Sequence, residues 1–212
     1  MNPAATHNQF ADCAPVLGLV RRHAVTILFV ALHLCVVGCS QQPAPVDLFG
    51  ETMGTTWSVK LATSPSQPLA MIERDIHAEF DRIVAQMSTW EPTSDISRYN
   101  SADTDTWHEL SPDVYAVLDY AIELARTTGG AYDPTVGPLV NLWGFGPDGE
   151  RREPPDDGAI AAMRARVGWQ KIQRDPTMGR GHQPGGMDLG LSSVGKGYAV
   201  DRVAAYLDGM GI

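Results

Sequence analysis

Seven apolar residues, Leu69, Ile72, Ile76, Phe80, Ile83, Val84 and Met87, recur at steps of three and four. That spacing puts them on one face of a helix running from about Pro68 to Met87, and so apolar a face needs a second layer to cover it. Ser64-Pro65-Ser66 just ahead supplies turn and cap chemistry. Cover is available on both sides. Phe49 to Ala62 alternates and carries Thr52, Thr55, Thr56 and Val59, the pattern of a strand bent or bulged at Gly54. Ser111 as cap and Pro112 in the first turn open a second helix with the stripe Val114, Val117, Leu118, Ala121, Ile122 and Ala125, closed by Thr127 to Gly130. A short helix over about Asp157 to Val167 precedes a strand near Trp169 to Gln173. Gly179 to Gly186 reads as a glycine-rich turn, and a last helix covers Lys196 to Leu207. The elements make an α+β chain, a mixed sheet with flanking helices.

The first 38 residues read as an address. Arg21, Arg22 and His23 precede an apolar run of 15 residues, Ala24 to Gly38, which ends at Cys39. This is secretory-signal architecture, too short for a permanent span of about 20 residues. Val36-Val37-Gly38-Cys39 resembles a bacterial lipobox, in which Cys39 is lipidated and becomes the first mature residue. Ser40, Gln41, Gln42, Pro43 and Pro45 form a polar, proline-bearing tether. The expected organisation is therefore a lead and signal at 1–38, a tether at 39–48 and a folded domain at 49–212, lipid-anchored to the bacterial cell envelope and facing the periplasm. Ser40, where an aspartate would favour the inner membrane, favours the outer one. Residues 1–19 do not fit a signal and are expected to reflect a misassigned start, with Val20 as initiator.

Cys13 and Cys35 leave with the signal and only Cys39 stays. An internal disulfide, a cysteine metal site and a cysteine nucleophile are all excluded by that count. With 16 Lys and Arg against 25 Asp and Glu, a net charge of −9 argues against nucleic acid as a partner. The six histidines, His7, His23, His33, His77, His108 and His182, show no ligand spacing, and no Gly-x-Ser-x-Gly is present.

Three segments carry candidate chemistry. Leu191-Ser192-Ser193-Val194-Gly195-Lys196-Gly197-Tyr198 runs small residues into a helix with a lysine in its first turn, which suits an anionic ligand. It lacks the Ser or Thr after the lysine that a P-loop demands, and it also reads as a tight turn with a solvated lysine. Ala131-Tyr132-Asp133-Pro134-Thr135 offers an aromatic ring to stack and a carboxylate to bind a polar edge, or equally an Asx-turn ahead of proline. Trp90, beside Glu91 and Asp95 in the polar stretch Ser88 to Asp105, is a stacking wall or a loop anchor.

Taken in order, Met53-Gly54-Thr55-Thr56-Trp57, Ser88-Thr89-Trp90 through Ser97-Arg98-Tyr99-Asn100, Gly130-Ala131-Tyr132-Asp133-Pro134-Thr135-Val136-Gly137-Pro138 through Trp143-Gly144-Phe145-Gly146, and Gly195-Lys196-Gly197-Tyr198-Ala199-Val200-Asp201 resemble the ApbE family of FAD:protein FMN transferases. The resemblance spans Phe49 to Ile212 and implies a T-fold-like architecture. It also implies magnesium-dependent transfer of FMN from FAD to a threonine of a partner flavoprotein, a respiratory or redox protein, with release of AMP. Carried over by position, Met53, Trp90, Ala131, Tyr132, Asp133 and Lys196 would hold FAD, and Ser193 would offer a main-chain oxygen to Mg2+. The chain departs from the pattern at Gly190, where the family has an acidic residue; Asp188 stands two places earlier. It also stops before the family's later Asp and Thr (or second Asp) magnesium ligands, which implies weak FAD binding and little transfer. An FAD pyrophosphatase and a non-catalytic FAD-binding lipoprotein are the alternative readings.

Overall fold

The computed structural model describes residues 45–62 and 65–212. The signal-like run, the lipobox with Cys39, tether residues 39–44 and Ser64 lie outside the described residues. No helix among the described residues is long and apolar enough to cross a membrane.

The amino-terminal segment is a hairpin where one bent strand was expected. β1 (Val46–Thr52) and β2 (Thr55–Leu61) pair antiparallel with Thr52 opposite Thr55. Met53 and Gly54 form the turn, with φ of 51° and 68°. Two positive φ values are what a two-residue type I′ hairpin needs. Glycine takes that conformation freely and methionine does not, so the sequence marks only half of the turn. β1 starts at Val46 and takes in the last three residues of the expected tether.

Helix α1 (Leu69–Met87) follows the predicted spacing: Ile72, Ile76, Phe80, Ile83 and Met87 are buried, while Leu69 stays exposed. The polar stretch after it, where the residue pattern predicts only a loop, holds a short helix, α2 (Asp95–Asn100). Ser94 caps it by accepting from the Ser97 amide at 3.0 Å, and Ile96 and Tyr99 are its buried side chains. Strand β3 (Thr106–Glu109) then leads to α3 (Pro112–Thr127), which buries Val114, Val117, Leu118, Ala121 and Ala125. Ser111 precedes α3 as expected, yet its hydroxyl makes no cap bond.

Beyond α3 come α4 (Gly137–Leu142) and α5 (Asp157–Arg164), the latter capped by Asp156 accepting from the Ala159 amide at 2.8 Å. The strand expected at Trp169 is a 3-10 turn over Trp169–Lys171, and β4 (Gln173–Asp175) follows it. The glycine-rich segment contains β5 (Arg180–Gln183). Gly181 is there for packing: a Cβ on it would sit 3.1 Å from Leu110 and 3.2 Å from the Tyr99 ring. Strands β3, β5 and β4 form the second sheet in that order. The α+β class with flanking helices holds; the described strands form two small, wholly antiparallel sheets.

The last helix, α6 (Ser192–Gly209), lies against α1 and α3 and buries Ala199, Val203 and Leu207 in their shared core. Each larger apolar side chain of this kind contributes about 1.5–3 kcal/mol when fully buried. Polar ties fix the three helices in register. Asp113 of α3 accepts from Tyr198 of α6 and from Arg82 of α1, and Tyr206 donates to Asp75 at 2.9 Å.

Candidate functional site

Four chain segments meet at the amino terminus of α6. The first residues of α6 and Leu191 ahead of them share a cavity of about 370 Å³ with Met53, Ile83, Met87, Trp90 and Lys196. A second cavity, about 550 Å³, is walled by Trp90, Val140, Phe145, Asp148, Asp188 and Ser193. Trp90 and Ser192 belong to both, so the two spaces adjoin across the indole and the start of the helix. Among the described residues, Lys196 is the only charged one lining the first cavity; Asp148 and Asp188 are the only ones lining the second. The site is thus polarised, with a cation and a helix amino terminus on one side and carboxylates on the other.

The sequence-derived residues divide accordingly. Met53, Trp90 and Lys196, from three separate motifs, line one cavity. Trp90 is 66% exposed, which leaves its ring face available for stacking. Met53 sits at a left-handed φ beside that cavity, and backbone strain of this kind clusters at ligand sites. Tyr132 reaches the same helix start by another route: the Ser193 hydroxyl donates to its Oη at 3.4 Å. Burial holds the Tyr132 phenol above its ordinary pKa, with the Ser193 contact offsetting part of the shift.

Ala131 is exposed and lines neither cavity. Of the two readings open for Asp133, the structure has the turn. Its Oδ1 accepts from the Thr135 amide at 2.8 Å and the Thr135 hydroxyl at 2.6 Å, and its Oδ2 accepts from the Trp169 amide at 3.1 Å. The carboxylate is occupied inside the protein and positions the Tyr132 loop. Pro134 in that loop accepts from the Gly190 amide at 2.8 Å, which joins it to the segment leading into α6.

Sequence reasoning missed Val140, Phe145 and Asp148. An aromatic held between Gly144 and Gly146 was the available signal for Phe145, which is 76% exposed. Asp148 lay in a Gly-Pro-Asp-Gly run that reads as a turn and nothing more.

Asp188 lines the second cavity as the acid nearest the open position at Gly190. Burial raises its carboxyl pKa above 3.8; Arg166, 3.7 Å away, pulls it back, and Asp148 adds to the rise. Raised above its unfolded value, the ionised group costs stability once the pH exceeds that unfolded value, and protonation removes the cost as pH falls. Asp188→Asn is therefore expected to melt above the wild type near neutral pH, with the gap closing as the pH falls toward about 4. Thermal melts across that range check it, and a gap that widens in acid would contradict the assignment.

Among the described residues no three His, Cys, Asp or Glu side chains come together as a metal cluster. The donors present at the cavity are hard oxygens. Mg2+ commonly takes one or two carboxylates together with water and substrate phosphate, so the set fits a cation carried in on a nucleotide rather than one caged by the protein.

Adjoining cavities of opposite charge at a helix start, with an exposed indole between them, form a site for an anionic ligand with planar rings. Residues 53–212 match the profile of the ApbE family. The chain is 36% identical over 190 residues to FAD:protein FMN transferase of Haemophilus influenzae, a match covering 86% of this chain and 54% of that protein. Its counterpart in Klebsiella pneumoniae is 37% identical over 194 residues, covering 85% and 55%. The solved flavin transferase ApbE of Vibrio cholerae superposes with a TM-score of 0.76 at 35% identity, over 80% of this chain and 55% of that one. The apo flavinyl transferase ApbE of Pseudomonas stutzeri gives 0.75 at 31% identity, over 80% and 56%. The chain belongs to the ApbE family, and it spans about half the length of the relatives it matches.

Proposed function

We propose that this chain carries the flavin-nucleotide site of an FAD:protein FMN transferase, which moves FMN from FAD to a threonine of a partner redox flavoprotein and releases AMP. The observation that carries the reading is the meeting of Met53, Trp90 and Lys196 in one cavity at the start of α6. Two relatives bearing the transferase name support it.

In this reading the α6 amides and Lys196 hold the pyrophosphate, since a helix amino terminus and a nearby ammonium both favour negative charge. Trp90 stacks on a ring, and Met53, Ile83 and Met87 exclude water from it. The site's part in the chemistry is alignment of the acceptor hydroxyl for in-line attack at phosphorus. Ser193, Asp148 and Asp188 are the residues that would help hold Mg2+. Bound there, the cation would neutralise charge on the departing AMP. Lipidation at Cys39 and a periplasmic, envelope-anchored location complete the proposal, supported by the lipobox-like Val36 to Cys39 alone.

The test is incubation with FAD, Mg2+ and an acceptor flavoprotein domain, followed by in-gel flavin fluorescence on the denatured acceptor and assay of AMP. Covalent label with stoichiometric AMP supports transfer; free FMN with AMP would mean hydrolysis instead. Lys196→Ala is expected to weaken FAD binding about tenfold, as for loss of one charge-assisted contact. Failure of the wild type to bind FAD at all would overturn the reading.

A further inference from the structure

Asn100 is the last residue of α2, and its side chain grips the backbone of Leu189 on both sides of that residue. Its Nδ2 donates to the Leu189 carbonyl at 2.9 Å, and its Oδ1 accepts from the Leu189 amide at 2.8 Å. A primary amide used in this way does what a neighbouring strand would do for a segment that belongs to no sheet. We propose that Asn100 is a positioning residue for the nucleotide site, coupling the wall that carries Trp90 to the wall that carries Asp188 and the start of α6. The proposal rests on the flavin-nucleotide reading above.

The connections run continuously in both directions. Toward Trp90, the Ser94 hydroxyl at the head of α2 donates to the Ser88 carbonyl at 2.7 Å, so α2 is tied to the loop that presents the indole. Toward α6, Asn100 and Leu189 line the second cavity together with the flanking Asp188 and Gly190, and two positions on lies Leu191 in the first. Upstream, the fully buried Gln183 fixes the approach. Its Nε2 donates to the carbonyls of Tyr99 and Met187 at 3.0 and 2.9 Å, and its Oε1 accepts from the amides of Gly185 and Met187. The segment is therefore held twice from the same dipeptide, Tyr99-Asn100. The Leu189 side chain is fully buried, so the segment cannot rotate to find other partners.

The arrangement needs a donor and an acceptor on one short side chain, which makes aspartate a diagnostic replacement. In Asn100→Asp the ionised carboxylate keeps the acceptor but sets an oxygen against the Leu189 carbonyl; once protonated, it can donate again. Asn100→Asp is expected to bind FAD about tenfold more weakly than wild type at about pH 8, and to recover much of that loss at about pH 4, the ratio to wild type being taken at each pH. Asn100→Ala is expected to be weak at both. Far-UV circular dichroism and thermal melts establish that each variant is folded. A purely structural role would lower the melting temperature and leave the affinity of folded protein unchanged at every pH, which would overturn the proposal.

Hydrogen exchange separates this failure from failure of the flavin reading. Should wild type bind no FAD, the nucleotide assignment falls, and Asn100 is then judged without ligand. Exchange at the Gly190 and Leu191 amides is expected to quicken at least about tenfold in Asn100→Ala. Protection unchanged from wild type would remove the coupling itself.

Discussion

Asp133→Ala should lower the melting temperature by roughly 6–12 °C, on the scale of 2–4 °C per kcal/mol for a domain of this size. Three donors lose their acceptor at once: the Thr135 amide, the Thr135 hydroxyl and the Trp169 amide. Thr135 is fully buried, and its hydroxyl oxygen also accepts from the Gly168 amide at 2.7 Å, so water has no easy path to the vacated position. Bonds to a charged acceptor contribute about 1.5–3 kcal/mol each and do not add, which puts the loss at about 3 kcal/mol. Asp133→Asn keeps one acceptor oxygen and should lose about half as much. Thermal and urea unfolding measure both. A variant with wild-type stability that had lost FAD binding would show that the carboxylate serves the ligand directly.

Gly137→Ala should destabilise by about 2–3 kcal/mol, within the range for overpacking. Helix propensity alone would favour alanine by up to about 1 kcal/mol, so the contact decides the sign. A methyl group there would lie 2.7 Å from Asp188 Cβ and 2.8 Å from the Asp188 carbonyl oxygen. Neither neighbour can be relieved by turning a flexible side chain. α4 must move away from Asp188, and with it Val140, which widens the second cavity. The expected readout is a lower urea midpoint together with weaker FAD binding; a midpoint equal to wild type would show that the two segments have room to separate without cost.

These two positions also mark where sequence reading stops. The spacing of Ile72, Ile76, Phe80 and Ile83 exposed α1 because helical burial repeats locally. Ser111-Pro112 and the Val114 to Ala125 stripe did the same for α3. The hairpin at Met53-Gly54 stayed hidden because methionine is a poor marker of a left-handed turn. α2 was hidden by a polar surface around only two buried side chains, Ile96 and Tyr99. β5 was hidden because its glycine serves packing rather than a turn. At the site, Trp90 and Lys196 were singled out by residue type and motif and Met53 by the family resemblance, but type did not reveal that Asp133 turns inward while Asp188 lines a cavity.

What the chain determines by itself is local: where the long helices run, that Cys39 is the only cysteine after the signal-like run, and that a lysine follows small residues at a helix start. Those properties depend on neighbours within a turn or two. Tertiary structure alone decided that Trp90 stands between two cavities, that Asn100 holds Leu189 and that Ser193 meets Tyr132. Such pairings join residues 61 to 89 positions apart, and nothing in local spacing specifies them: they form when the apolar faces of α1, α3 and α6 close on one another and bring buried polar groups to partners distant in sequence.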